Sequence, residues 1–121
     1  MGCDIHGPVL ETRVGERWEA VATFELDRWY GLFRLLASVR TDEDNPGLFE
    51  PKGMPYDPTW ASKKMAEDAD HSHSWLTFQE ANQVAERLAS KCPVKYAALV
   101  ATMRAIEQAG FMTRIVFGFD S

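Results

Sequence analysis

All the imidazole of this 121-residue chain lies in two short clusters. His6 stands two residues after Asp4 in MGCDIHG, and His71 and His73 stand two apart in DADHSHSWL, just after Asp68 and Asp70. In a strand, residues i and i+2 project from one face. The spacing therefore predicts that Asp4 points with His6, and His71 with His73. Two such pairs brought together offer nitrogen and oxygen ligands, with Asp120 as a further carboxylate and Asp68 or Asp70 as alternatives. That donor set suits a divalent transition metal, Zn²⁺ or Mn²⁺ (or Fe²⁺), better than Ca²⁺, which prefers oxygen alone. A metal so held lowers the pKa of a bound water and polarises a phosphoryl or carbonyl oxygen. The same residues also suit metal-free chemistry. Two neighbouring histidines act as general acid and general base on a phosphodiester while an Arg or Lys steadies the developing charge. The plainer alternative is that His6, His71 and His73 are surface or capping residues, because such short patterns also arise by chance.

Residues that would hold a substrate are more scattered. Arg28, Arg40 and Lys52 are the candidate phosphate ligands, and Trp75 the candidate base-stacking residue. Trp29, Tyr30 and Trp60 also have faces on which a base stacks, although most aromatics belong to a core. Arg28, Arg34 and Arg40 lie six apart, a spacing that turns each away from the last on a helix, so they form no single stripe. Ser72 and Ser74 sit in no G-x-S-x-G elbow, which argues against a serine nucleophile. Cys3 alternates with Ile5 and reads as a small buried hydrophobe before it reads as a nucleophile.

The elements that must position these residues follow from local pattern. Residues 3–24 read as a β-hairpin turning at VGER, with Cys3, Ile5 and Val9 on one parity and Asp4, His6 and Leu10 on the other. Residues 28–40 read as a helix through Trp29, Leu32, Phe33, Leu36 and Val39. Residues 41–60 contain Pro46, Pro51, Pro55 and Pro58, which exclude a helix. Their Leu48, Phe49 and Met54 predict a loop packed on the body rather than a free linker. A short helix is predicted over ASKKMAEDAD. If HSHSWL is extended, His71, His73 and Trp75 share one face and Ser72, Ser74 and Leu76 the other. Thr77 with Glu80 makes a capping box that opens a helix to about residue 91. Pro93 opens another, carrying Tyr96, Leu99, Val100, Met103 and Ile106 inward and closing at Gly110. FMTRIVFGFD reads as a last strand. The expected architecture is a single α+β domain over residues 1–121: a small antiparallel sheet, from the N-terminal hairpin and the C-terminal strand, packed against three or four helices.

Composition narrows the partners. The net charge of −5 disfavours duplex nucleic acid, whose binding needs a basic surface, while leaving room for a small anion held by a few arginines. No apolar run approaches the roughly 18 residues of a membrane span, and the first residues lack the pattern of a secretory signal. Position 6 is His rather than the Ser or Thr of the myristoylation pattern, so acylation is not expected. Cys3 and Cys92 have no C-x-x-C spacing, and reduced thiols in a cytoplasmic setting are expected.

Taken together, MGCDIH, RWYGLF, EPKGMPYD, HSHSWLT and the final RIVFGFD resemble a family of small, uncharacterised bacteriophage and prophage proteins. The resemblance covers both ends and the middle of the chain and implies a setting rather than a mechanism: an accessory protein acting in the cytoplasm of an infected or lysogenic host. By analogy of setting alone, the substrate class would be a nucleotide second messenger of host immunity. The leading expectation is a small, metal-assisted phosphodiesterase centred on Asp4, His6, His71 and His73, with Asp120 as a further metal ligand and Arg28, Arg40, Lys52 and Trp75 holding a small nucleotide. The alternatives are a nucleotide sponge without turnover, its pocket built between subunits of a homo-oligomer, and an inhibitor that clamps another protein through the proline-rich loop.

Overall fold

The computed structural model of the chain describes residues 2–121. The N-terminal hairpin forms as the alternating pattern predicts: β1 (Asp4–Val14) and β2 (Arg17–Thr23) meet at Gly15, whose φ of +62° suits a residue without a Cβ. The expected last strand forms as β4 (Thr113–Asp120), and the HSHSWLT segment as β3 (His71–Thr77). The sheet order is β2–β1–β4–β3, antiparallel throughout. Both ends of the chain therefore lie in the two central strands. The seven residues from Thr113 to Phe119 are all buried, because this strand is covered on both faces.

One face carries the main core. Leu10, Leu76, Ile115, Phe117 and Phe119 pack there against Leu32, Phe33 and Leu36 of α1 (Tyr30–Ala37), Ala81 and Val84 of α3 (Phe78–Leu88), and Tyr96, Leu99 and Met103 of α4 (Val94–Gln108). The other face is smaller. Val9 and Val116 pack there with Met65 of α2 (Trp60–Asp68), joined by Met54, Ala61 and Trp75. The fold is thus α+β, with four α-helices over a four-stranded antiparallel sheet.

Local signals account for most helix ends. Thr77 accepts from the Glu80 backbone while the Glu80 side chain accepts from the Thr77 backbone, the reciprocal cap read from the sequence. α4 closes at Gly110, at a φ of +99°. α1 is shorter than the predicted 28–40: Trp29 is its extended N-cap and lies partly exposed, and Ser38 ends the helix in the left-handed region at φ 55°. Residues 41–60 are irregular and held down. Leu48 and Phe49 pack on the main core, the Gly53 N–H donates to the His73 carbonyl, and the Lys52 N–H donates to Ser74 Oγ. Those bonds cover the outer edge of β3, an edge that otherwise invites pairing with another strand.

Two irregularities decide which way the histidines point. Register shifts between His6 and Val9 on β1, where Gly7 adopts φ +82°, and between His71 and Ser74 on β3, where Ser72 adopts φ 54°. Each inserts residues and reverses the alternation beyond it. On β1 the expected parity is corrected: Cys3 and Ile5 share the main-core face with Leu10, while Asp4 and His6 share the α2 face with Val9. On β3 His71 faces with Phe119, Ser74 and Leu76, and His73 faces with Gly118 and Trp75. His71 and His73 therefore project from opposite faces, contrary to the simple i, i+2 expectation.

Candidate functional site

The pairing of β1 with β4 aligns Asp4 with Asp120 and His6 with Gly118, all on the α2 face of the sheet. Asp120 thus joins the N-terminal D-x-H pair, as its place beside the first strand predicts. His6 Nε2 lies 2.5 Å from Asp120 Oδ2, and the Asp4 backbone N–H donates to Asp120 Oδ1 at 3.2 Å. A carboxylate accepts, so Nε2–H is the donor in this contact, and Nδ1 bonds no described residue. The hydrogen bond from His6 holds the Asp120 carboxyl below the usual carboxylate range. Asp4 is held low by a bidentate contact from Arg28, with Nε 2.8 Å from Oδ1 and Nη2 2.9 Å from Oδ2; the same contact raises the Arg28 guanidinium.

Two open clefts of about 410 and 460 Å³ meet beside His6, and His6, Gly7 and Thr23 line both. The first also takes in Asp4, Asp27 and Lys95, the last two bridged at 3.0 Å; the second takes in Lys64, Met65 and Asp68. Asp68, one of the alternative carboxylates, therefore shares a cleft with His6, whereas Asp70 is exposed and bonds through its backbone to Phe119.

The other predicted residues have separate work. His73 packs its ring against Gly118, where a Cβ would come within 3.0 Å of Cδ2, and its Nε2 lies 3.2 Å from the Ala66 carbonyl. A carbonyl only accepts, so this nitrogen is the protonated one and His73 ties β3 to α2. His71, on the opposite face, stacks near Phe119 with centroids 6.3 Å apart and contacts Ser72 Oγ at 2.9 Å and Ser121 Oγ at 3.1 Å. Arg40 stands 4.9 Å over the Tyr30 ring. Lys52 and Trp75 meet each other: Nζ lies 4.0 Å from the indole centroid and 2.5 Å from Glu80 Oε1. That cluster clips the 41–60 loop to the edge of β3 and the start of α3. Cys3 is fully buried, as the alternation predicts, and burial pushes its thiol up. Among the described residues, no group of three or more His, Cys, Asp and Glu side chains is disposed to hold a metal ion.

Thr23, Lys64 and Lys95 were not found by sequence reasoning. They reach the clefts from β2, α2 and α4, and nothing in their local sequence marks them, because their meeting is purely tertiary.

No protein-family model, curated protein or solved structure matches the chain. What the coordinates define is a class, an α+β fold with helices on both faces of an antiparallel sheet. Among the described residues, no helix is long and apolar enough to cross a membrane.

Proposed function

We propose that the protein is a small phosphodiesterase acting on a nucleotide-type ligand, such as a second messenger of host immunity, with His6 as its acid–base residue. The observation that carries this reading is His6, which lines two clefts while bonded to Asp120, with Arg28 bonded to the neighbouring Asp4. His6 Nδ1 takes a proton from the attacking water as its oxygen bonds to phosphorus. The P–O bond to the leaving group breaks, and the same imidazole or a solvent water returns a proton to the departing oxygen. Asp120 accepts from Nε2–H throughout and stabilises the imidazolium. Arg28 exchanges Asp4 for the substrate phosphate, a geometry its planar fork suits. Among the described residues, the side chains as they stand form no metal-holding group; Asp4, His6 and Asp120 would be the residues to hold a Zn²⁺ or Mn²⁺ ion if Asp4 were released from Arg28, and such an ion would supply an activated water.

A second reading, a nucleotide sponge without turnover, is favoured by the separation of the histidines. His71 and His73 are bonded elsewhere, so a single imidazole serves the clefts. One experiment separates the two. The purified protein, assayed for bound metal, is incubated with cyclic dinucleotides and cyclic ADP-ribose isomers. Cleavage that falls by about 10²–10⁴-fold in His6→Ala supports the enzyme. Ligand that binds and is recovered unchanged after heat denaturation supports the sponge. Neither binding nor cleavage sinks both and leaves the protein-clamping alternative.

A further inference from the structure

A different cleft lies at the other end of the hairpin, roughly 25 Å along β1 from His6. It has a volume of about 430 Å³ and is lined by Glu16, Arg17, Trp18, Tyr56, Asp57, Pro58 and Lys63. Tyr56 is 101% exposed, although an aromatic of its size normally covers part of itself. Its backbone is nonetheless firmly set. Pro55 before it is buried, the Asp57 carbonyl accepts from Arg114 Nη2 at 2.9 Å, and the Thr59 N–H donates to Glu11 Oε2 at 2.9 Å. Glu11 and Arg114 are themselves buried partners. The loop therefore presents a ring to solvent from a backbone anchored in the sheet. Trp18, across the cleft, is also held, with Arg114 4.0 Å and Arg13 5.7 Å from its ring centroid.

The charge around these rings is specific. Asp57 accepts from Arg114 Nη1 at 3.0 Å, which turns its carboxylate towards the sheet, although Arg114 is shared with Glu11 and the trio keeps one negative charge. Arg17 and Lys63 are exposed and make no ion pair with any described residue. Glu16 is the remaining carboxylate on the rim. On an acidic protein, two uncommitted cations beside a presented aromatic make a small anion-plus-ring site. They are too few for a duplex, whose affinity rests on many phosphate contacts. A ring that stacks and one or two cations that hold phosphate are the parts that bind single-stranded nucleic acid.

We propose that this cleft binds a nucleobase and its adjoining phosphate, presented by a free nucleotide or by a single strand, with Tyr56 stacking on the base and Arg17 and Lys63 holding the phosphate. The site is independent of the His6 centre, and neither reading requires the other. The test titrates the full chain with AMP and with a fluorescent short oligo(dT), followed by tryptophan quenching and by anisotropy. Saturable binding is expected, and for the oligomer it should weaken by roughly sevenfold for a fourfold rise in salt if Arg17 and Lys63 meet two successive phosphates. Tyr56→Ala, and separately the double change Arg17→Glu with Lys63→Glu, are expected to weaken it by about tenfold or more. All these positions on the cleft are exposed, and circular dichroism checks that each variant folds. Oligomer binding much tighter than AMP assigns the site to a strand, and equal binding to a mononucleotide. No saturable binding of either probe, or variants that bind as the parent does, overturns the proposal. So does a tyrosine variant whose only change is altered self-association.

Discussion

His6 and Glu11 both reach across from β1 to a partner on β4, yet burial gives the two pairs different work. Glu11 is wholly inaccessible and Arg114 nearly so, at 0% and 6% side-chain exposure, with Nε 2.5 Å from Oε1. Glu11 also accepts from Ser62 Oγ at 2.5 Å and from the Thr59 N–H, which secures the start of α2. Burial works to raise the Glu11 carboxyl, but the hydrogen bonds from Ser62, Thr59 and Arg114 outweigh it and hold the group low. Removing one partner of such a pair leaves the other charged and buried. Glu11→Ala is accordingly expected to cost about 3–5 kcal/mol in urea unfolding, with the strain falling on Arg114 and the loop that Arg114 anchors. Asp4→Ala, which frees the half-exposed Arg28, is expected to shift the same curve far less. Equal shifts for the two variants would refute the contrast. The buried pair is thus closed off within the sheet, while the Arg28–Asp4 pair lies about half open to solvent.

At the scale of elements, the sequence reveals periodicity well and bulges poorly. The hairpin, the Thr77–Glu80 cap, the inward face of α4 and the closing strand were all legible, because each follows from a two-residue or 3.6-residue repeat or a local hydrogen bond. The juxtaposition of Asp4, His6 and Asp120 was partly legible, since it required only that the last strand lie beside the first. The split of His71 from His73 was not. Gly7–Pro8 announces a break in β1, whereas nothing about Ser72 announces its left-handed backbone, and a single inserted residue reverses every side chain beyond it. Lys52 and Trp75 were likewise marked as separate ligands, because a loop's return to the edge of β3 has no periodic signature. Gly118 gives this level its test. A Cβ there would lie 2.7 Å from Ala69 Cβ as well as against His73, so Gly118→Ala forces α2 away from the sheet. The expected cost is about 1–3 kcal/mol, the range for overpacking. It should appear as a lower melting temperature together with a shifted His73 ring resonance. A variant as stable as the parent would show that the strand–helix gap is looser than described.

For the molecule as a whole, acid carboxylates tie together the ends of the chain, the loop and the helices. Asp120 joins the last strand to the first, Asp4 holds Arg28, Glu11 locks α2 to the sheet, Glu80 caps α3 and holds Lys52, and Asp42 closes the turn with Asn45. All five are held below the usual carboxylate range: Asp4 by Arg28, Asp120 by His6, Asp42 by Asn45, and Glu11 and Glu80 by hydrogen bonds that outweigh their burial. A carboxyl that is more acidic when folded than when unfolded binds fewer protons in the native state across that interval, so stability there rises with pH. Its contribution is complete above the ordinary Asp and Glu values of about 3.9 and 4.3, and it fades as pH falls through the lower folded values. The net charge of −5 at neutrality works in the opposite direction, but long-range self-repulsion is screened by salt more readily than a buried hydrogen-bonded contact. The urea midpoint is therefore expected to hold nearly constant above about pH 5 and to drop steeply below about pH 4, with the drop persisting in high salt. Because Glu11 is the most buried of the five, the Glu11→Ala protein should show a visibly shallower acid limb. Parallel pH profiles for parent and variant would mean that acid lability arises elsewhere in the charge network.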